Sequence, residues 1–153
     1  MTMGSDRAAP TSGDFTVLRR IPTRWADNDH YGHVNNAVYY EYMDSVVNDW
    51  LMEVMGRDTR QMPAIGLVVS SRCEYRVPVE FPDSLDVGLA TSKVGRSSIT
   101  YQLALFRVSD GVLCAVGEFI HVYVDSSSRT SVPIPAAIRV AVEVLPHLRF
   151  FDD

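Results

Sequence analysis

From Asn36 to Met55 the apolar residues Tyr39, Met43, Val46, Val47, Trp50 and Val54 recur at helical spacing, while Glu41, Asp44, Ser45, Asn48 and Glu53 mark the other side. Asn35 is placed to cap the first turn, and Gly56 stands where a left-handed residue stops a helix. This is the one long helix of the chain. After it the period drops to two: Val69, Ser71, Cys73, Tyr75 and Val77 alternate with Ser70, Arg72, Glu74 and Arg76, which predicts a strand with one rather polar face.

Before the helix, the alternation Phe15, Val17, Arg19, Ile21 predicts a strand that Pro22 confines to a sheet edge or a bulge. Beyond Pro78 and Pro82, Leu85, Val87, Leu89 and Thr91 start a further strand, with Gly95 as a turn residue. Ile99, Tyr101, Leu103 and Leu105 follow, then Ser109-Asp110-Gly111 as a hairpin turn into a β-rich run from Val112 to Val124. A short amphipathic segment, Ala136 to Leu145, comes last. Short hairpin connections make the sheet antiparallel, so the element order is that of an α+β fold. The helix must bury its apolar stripe on that sheet. A strongly curved antiparallel sheet wrapped around one long helix is the simplest architecture that does so.

The 153 residues suffice for one core, and residues 1 to 13 read as a flexible tail ahead of a single domain over 14 to 153. A net charge of -5 with no basic cluster argues against a nucleic-acid partner and for a small ligand. No apolar run approaches the roughly 20 residues needed to span a bilayer, and residues 1 to 13 contain no signal-peptide core, so no membrane partner and a cytoplasmic location are expected. Cys73 and Cys114 have no metal-ligand spacing and fit small buried hydrophobes in a reducing compartment.

Polar chemistry concentrates between Arg24 and Asn36, where two carboxylates, two imidazoles and three amides fall within thirteen residues. A loop ahead of a helix is where such groups act, because the helix N-terminus presents free N–H donors and a partial positive charge to a developing oxyanion. The residues Asp27, Asp29, His30 and His33 have no recognised ligand spacing, so neither a metal nor another cofactor is expected.

The run from Asp27 to Asp44, DNDHYGHVNNAVYYEYMD, resembles the DxDxxGHVNNxxYxxY signature of the 4-hydroxybenzoyl-CoA thioesterase-like group of the hotdog superfamily. The resemblance extends over roughly residues 15 to 145 and includes the VGRSS turn. It implies the hotdog fold and hydrolysis of an acyl-CoA thioester. By resemblance, Asp29 is the catalytic carboxylate, acting as nucleophile through an acyl anhydride or as general base to a water. The backbone N–H of Asn36 polarises the thioester carbonyl. His33 assists as proton carrier or by orienting the carboxylate or the loop. Tyr31 stands where related carrier-protein thioesterases have Asn, which points away from a carrier-protein substrate.

Asp27 is read as a residue that holds the loop by bonding backbone N–H groups. Arg96 matches a position that in the resembling enzymes contacts nucleotide phosphate, with Ser97 and Ser98 able to add hydroxyls, although an ordinary polar turn would also place these residues there. Arg72 and Arg76 fit a solvated or subunit-contact face. The resemblance implies an acyl site at the interface of a homodimer, which can pair into a dimer of dimers. A hotdog hydratase or dehydratase, and a non-catalytic acyl-ligand binder, are the alternatives that release of free thiol would separate.

Overall fold

A computed structural model describes residues 9–152. Of the expected tail, residues 1–8 lie outside that part, while Ser12–Asp14 form a 3-10 turn in which the Asp14 carboxylate accepts the Thr11 N–H at 2.8 Å. The elements that follow are β1 (Leu18–Pro22), α1 (Asn36–Met55), β2 (Ala64–Tyr75), β3 (Ser84–Val94), β4 (Ser98–Arg107), β5 (Leu113–Asp125) and α2 (Ala136–Glu143). The strands form one sheet in the order β1-β3-β4-β5-β2, every neighbouring pair antiparallel. β1, with Pro22 at its end, is an edge strand as its sequence demands. This α+β arrangement of one long helix on an antiparallel sheet is the hotdog fold.

Helix α1 begins and ends where its caps predict. The Asn35 side chain accepts the Ala37 N–H at 2.9 Å, and Gly56 adopts a φ of 62°. The buried stripe takes in Tyr42 and Leu51 besides the predicted residues and leaves Val54 on the exposed side. It packs on Leu85, Val87 and Leu89 of β3 and on Ile99, Tyr101, Leu103 and Leu105 of β4, the period-two positions of two buried strands. At Gly117 of β5 the helix comes so near that an added Cβ would overlap the Met43 sulfur, so the absent side chain sets the distance between helix and sheet.

The sheet's outer face carries a smaller cluster, Phe15, Ala90, Ala104, Phe106 and Val116, with Phe150 and Phe151 of the final segment packed against it. A polar chain beside it ties that segment down. Gln102, fully buried, donates to Glu118 Oε2 at 2.7 Å and accepts the Phe150 N–H at 2.9 Å, and Glu118 Oε1 accepts from Arg72 Nε at 3.1 Å. The Arg72 guanidinium lies 4.2 Å from the centre of the Phe151 ring. The Arg72 side chain is still 43% exposed, as the solvated-face reading expects, but Glu118 and the terminal segment also engage its guanidinium.

Strand β2 starts at Ala64, earlier than its alternation suggested; residues 66–71 are exposed whichever face they take, so no inside-outside alternation marks that stretch. Leu67, Val68 and Val69, at the middle of this edge strand, are 37%, 46% and 60% exposed. A long edge with an apolar centre is an invitation to pairing by another chain.

His121 of β5 faces the helix and is 2% exposed, with neither ring nitrogen hydrogen-bonded among the described residues. Burial drops its imidazole from the ordinary value of 6.5 to about 4. The unfolded chain therefore binds more protons than the folded one between those values, and stability falls as pH descends through that window. By about pH 5 the loss attributable to His121 should reach about 2 kcal/mol. Urea unfolding of the wild type and of His121→Leu at stepped pH checks this: the variant should lose that component of the acid slope.

Candidate active site

The loop between β1 and α1 is anchored through Asp27. Its carboxylate, 1% exposed, accepts the Arg24 N–H at 2.8 Å, Arg24 Nε at 3.0 Å and the Tyr42 hydroxyl at 2.6 Å. Burial opposes its charge, but the bonds from Tyr42 and Arg24 outweigh it and hold the carboxyl below its ordinary value. Burial and the same contact push the Tyr42 hydroxyl well up, so it stays a donor. The backbone carbonyl of Asp27 also accepts the Asn35 N–H at 2.9 Å, closing the loop onto the start of the helix. The loop-holding reading of Asp27 is the geometry found.

Between these anchors, Asn28 and Val34 bridge as antiparallel partners, and the Asp29 N–H donates to the His33 carbonyl at 2.8 Å. Gly32, at a φ of 84°, lets the chain turn back in so few residues, a conformation that a side chain would strain. The Asp29 carboxylate accepts only the Tyr31 N–H, at 2.8 Å, among the described residues, so its second oxygen is uncommitted. It stands half-buried at the edge of the loop.

At the head of α1 the capping side chain of Asn35 takes the N–H of Ala37, not that of Asn36. The Asn36 N–H donates to no acceptor among the described residues. Its carbonyl is held by the Tyr75 hydroxyl at 2.8 Å, and the Tyr75 ring meets Tyr39 edge-on with centres 4.9 Å apart. Asp29, His33 and Asn36 line one open cleft of about 440 Å3 with Tyr31, Tyr75 and Arg76. The three residues expected to act together thus share a cavity, with a carboxylate oxygen and a free N–H available to it. Tyr75 is the contributor that the sequence reading left among the strand residues.

Cys73 is no rival nucleophile, since burial pushes its thiol up to about 11. Cys114 is buried and raised for the same reason, and both are free thiols. Among the described residues no group of three or more His, Cys, Asp or Glu is placed to hold a metal ion. No helix there is long and apolar enough to cross a membrane.

Arg96, Ser97 and Ser98 lie elsewhere. They form the tip of the β3–β4 hairpin, where the Gly95 and Arg96 carbonyls accept from Arg139 at 2.6 and 3.3 Å and Arg96 donates to Ser97 Oγ at 3.4 Å. The start of β3, beside Thr23 and Asp83, is at the Asp29 end of the sheet, so the tip stands about 30 Å away along the strand. One chain alone does not bring the hairpin and the cleft together.

Residues 23–142 match the family model of the thioesterase-like superfamily. The PA5185 protein of Pseudomonas aeruginosa PAO1 has a similar structure, with 43% identity, 90% of this chain and 96% of that one covered, and a TM-score of 0.85. The uncharacterized protein YsmA of Bacillus subtilis (strain 168) is 27% identical over 119 residues, 77% of this chain and 79% of its own length. The 1,4-dihydroxy-2-naphthoyl-CoA thioesterase Slr0204 of Synechocystis shares the fold at 17% identity, covering 86% of this chain and 98% of that one with a TM-score of 0.77. With its central helix, strands β2 to β5 and about four-fifths of its length matched to that family, the chain belongs to the thioesterase-like superfamily.

Proposed function

We propose that this thioester hydrolase cleaves an acyl-coenzyme A to a carboxylic acid and free coenzyme A in the cytoplasm. The observation that carries the reading is the one cleft lined by both Asp29, with an uncommitted carboxylate oxygen, and Asn36, whose N–H has no acceptor among the described residues. The thioester carbonyl oxygen would accept that N–H, which strengthens as negative charge develops there. Asp29 then either removes a proton from a water that attacks the carbonyl carbon, or attacks that carbon itself and is released by water from the mixed anhydride. In both routes the C–S bond breaks and the thiolate leaves, to be protonated by His33 or by solvent. The Tyr75 bond to the Asn36 carbonyl keeps the helix's first peptide in place while this happens.

The proposed working unit is a homodimer joined along β2. Antiparallel pairing of two copies about the exposed centre Leu67 to Val69 covers that apolar edge and makes one continuous sheet. It also reverses β2 of the second copy, so the Ala64 end of one chain comes beside the Tyr75 end of the other. The Arg96 hairpin belongs to the Ala64 end, because Tyr123, which pairs with Gly66, donates its N–H to the Ser97 carbonyl at 2.8 Å. A nucleotide extending from the cleft of one copy would therefore meet Arg96, Ser97 and Ser98 of the other, where a guanidinium suits phosphate.

Complementation tests this arrangement. Arg96→Ala should raise KM about tenfold for coenzyme A esters and far less for pantetheine esters that lack the nucleotide. Assayed well below KM, mixing Arg96→Ala with Asp29→Asn and allowing subunit exchange should raise activity from about a twentieth to about a quarter of wild type, because half the dimers then hold one intact site. No recovery in exchanged dimers would place Arg96 outside the partner's site.

A further inference from the structure

A second cavity, of about 260 Å3, lies toward the other end of α1 from Asp29, between that helix, the start of β2, β5 and α2. Leu51, Met62, Ile65 and Ile138 give it apolar walls. Set into that wall is the His121 imidazole, 2% exposed, with both nitrogens unpartnered, and the Tyr101 ring packs edge-on against it at 5.1 Å with its own hydroxyl unpartnered. Buried polar atoms in a folded chain are as a rule hydrogen-bonded, and the two nitrogens of His121, a residue that lines this open space, point to a guest that completes them. The space exists because residue 66 is glycine. A Cβ there would stand 3.3 Å from His121 Nδ1 and 3.2 Å from Tyr123 Cζ.

The chemistry of the guest follows from the lining. Arg60, the charged group of the lining, lies exposed with its guanidinium engaged by Asp58 at 2.8 Å. Burial keeps His121 neutral down to about pH 4, so it offers one N–H donor and one bare nitrogen acceptor. A hydroxyl is the smallest substituent of a carbon chain that both accepts and donates while carrying no charge, and the apolar walls suit the chain that would carry it.

Within one chain this cavity is remote from the cleft, since β2 lines the one with Ala64 to Leu67 and the other with Tyr75. The two-fold pairing of β2 brings the Ala64 end of one copy to the Tyr75 end of the next. An acyl group held at Asp29, on the helix side of the sheet, then faces the cavity of the second copy, which lies on that same side, while the nucleotide continues past it to the hairpin tip. We infer that this cavity is the acyl-end subsite, and that His121 of the second copy selects acyl groups terminating in a hydroxyl. The inference rests on the acyl-coenzyme A reading and names the substrate class within it.

The experiment compares kcat/KM for ω-hydroxyalkanoyl-coenzyme A esters with that for alkanoyl esters of matched length, over a graded series, for wild type, His121→Leu and His121→Gln. At the chain length that spans the two cavities, the wild type should prefer the hydroxylated ester about tenfold or more. His121→Leu should erase that preference, and His121→Gln, which keeps a donor and an acceptor, should retain most of it. Each ratio is taken within one protein preparation, so partial loss of folded protein cancels. A wild-type ratio near unity at every length, or a preference that survives His121→Leu, overturns the inference and leaves the cavity to solvent. If the folded wild type hydrolyses no coenzyme A ester at all, the underlying reading falls first and the inference with it.

Discussion

Asp29→Asn should lower kcat by about a hundredfold to ten-thousandfold while changing substrate affinity far less. The substitution keeps the side chain's size and an oxygen to accept the Tyr31 N–H at the 2.8 Å contact, so the turn through Gly32 should persist. It removes the negative charge, and with it the basicity and nucleophilicity that either role needs. Because the half-buried carboxylate makes just that one local bond among the described residues, the melting temperature and oligomeric state should stay at wild-type values. Near-native turnover by a folded Asp29→Asn protein would remove Asp29 from the reaction.

Asp27→Ala should do the reverse and act first on stability. The carboxylate it removes holds the Arg24 N–H, the Arg24 side chain and the buried Tyr42 hydroxyl. Arg24 is 62% exposed, so solvent screens that ion pair and little of the loss comes from it. The larger part comes from leaving the Tyr42 hydroxyl buried without an acceptor and the turn at Trp25–Asp27 without its cap, together about 3 kcal/mol. Because the folded carboxyl sits below its ordinary value of 3.8, this stabilisation is present above that value and is lost as pH falls below it. Chemical denaturation of the two variants side by side checks the division of labour: a large midpoint shift for Asp27→Ala and almost none for Asp29→Asn. Equal shifts would mean that both carboxylates hold the loop.

How far the sequence revealed this molecule depends on what each feature needs in order to form. Helix α1 was legible to the residue because its limits are set by local chemistry, the Asn35 cap and the left-handed Gly56. The strand order around the hairpins was legible for the same reason, through Gly95 and Gly111. Asp29, His33 and Asn36 could be grouped from one motif because a short loop and the helix start keep them close in the chain. Tyr42 and Tyr75 could not be given their tasks, since the first meets Asp27 across a loop and the second reaches Asn36 from β2, both contacts of tertiary packing. The partners of Arg72, Glu118 and Phe151, could not be named because they are distant in sequence and the course of the final segment had no periodic signal. The burial of His121 depends on strand parity, inward with Phe119 and Tyr123, that becomes visible only once the sheet register is known.

The reaction itself is tested most directly by following thiol and carboxylic acid together as the folded wild-type protein is presented with short, medium, long and aromatic acyl-coenzyme A esters. Thioester hydrolysis predicts, for at least one ester, equal amounts of free thiol and free acid for each ester consumed. Consumption of an ester with no thiol released, as hydration of the acyl chain would give, or inertness toward every member of the panel, would contradict it.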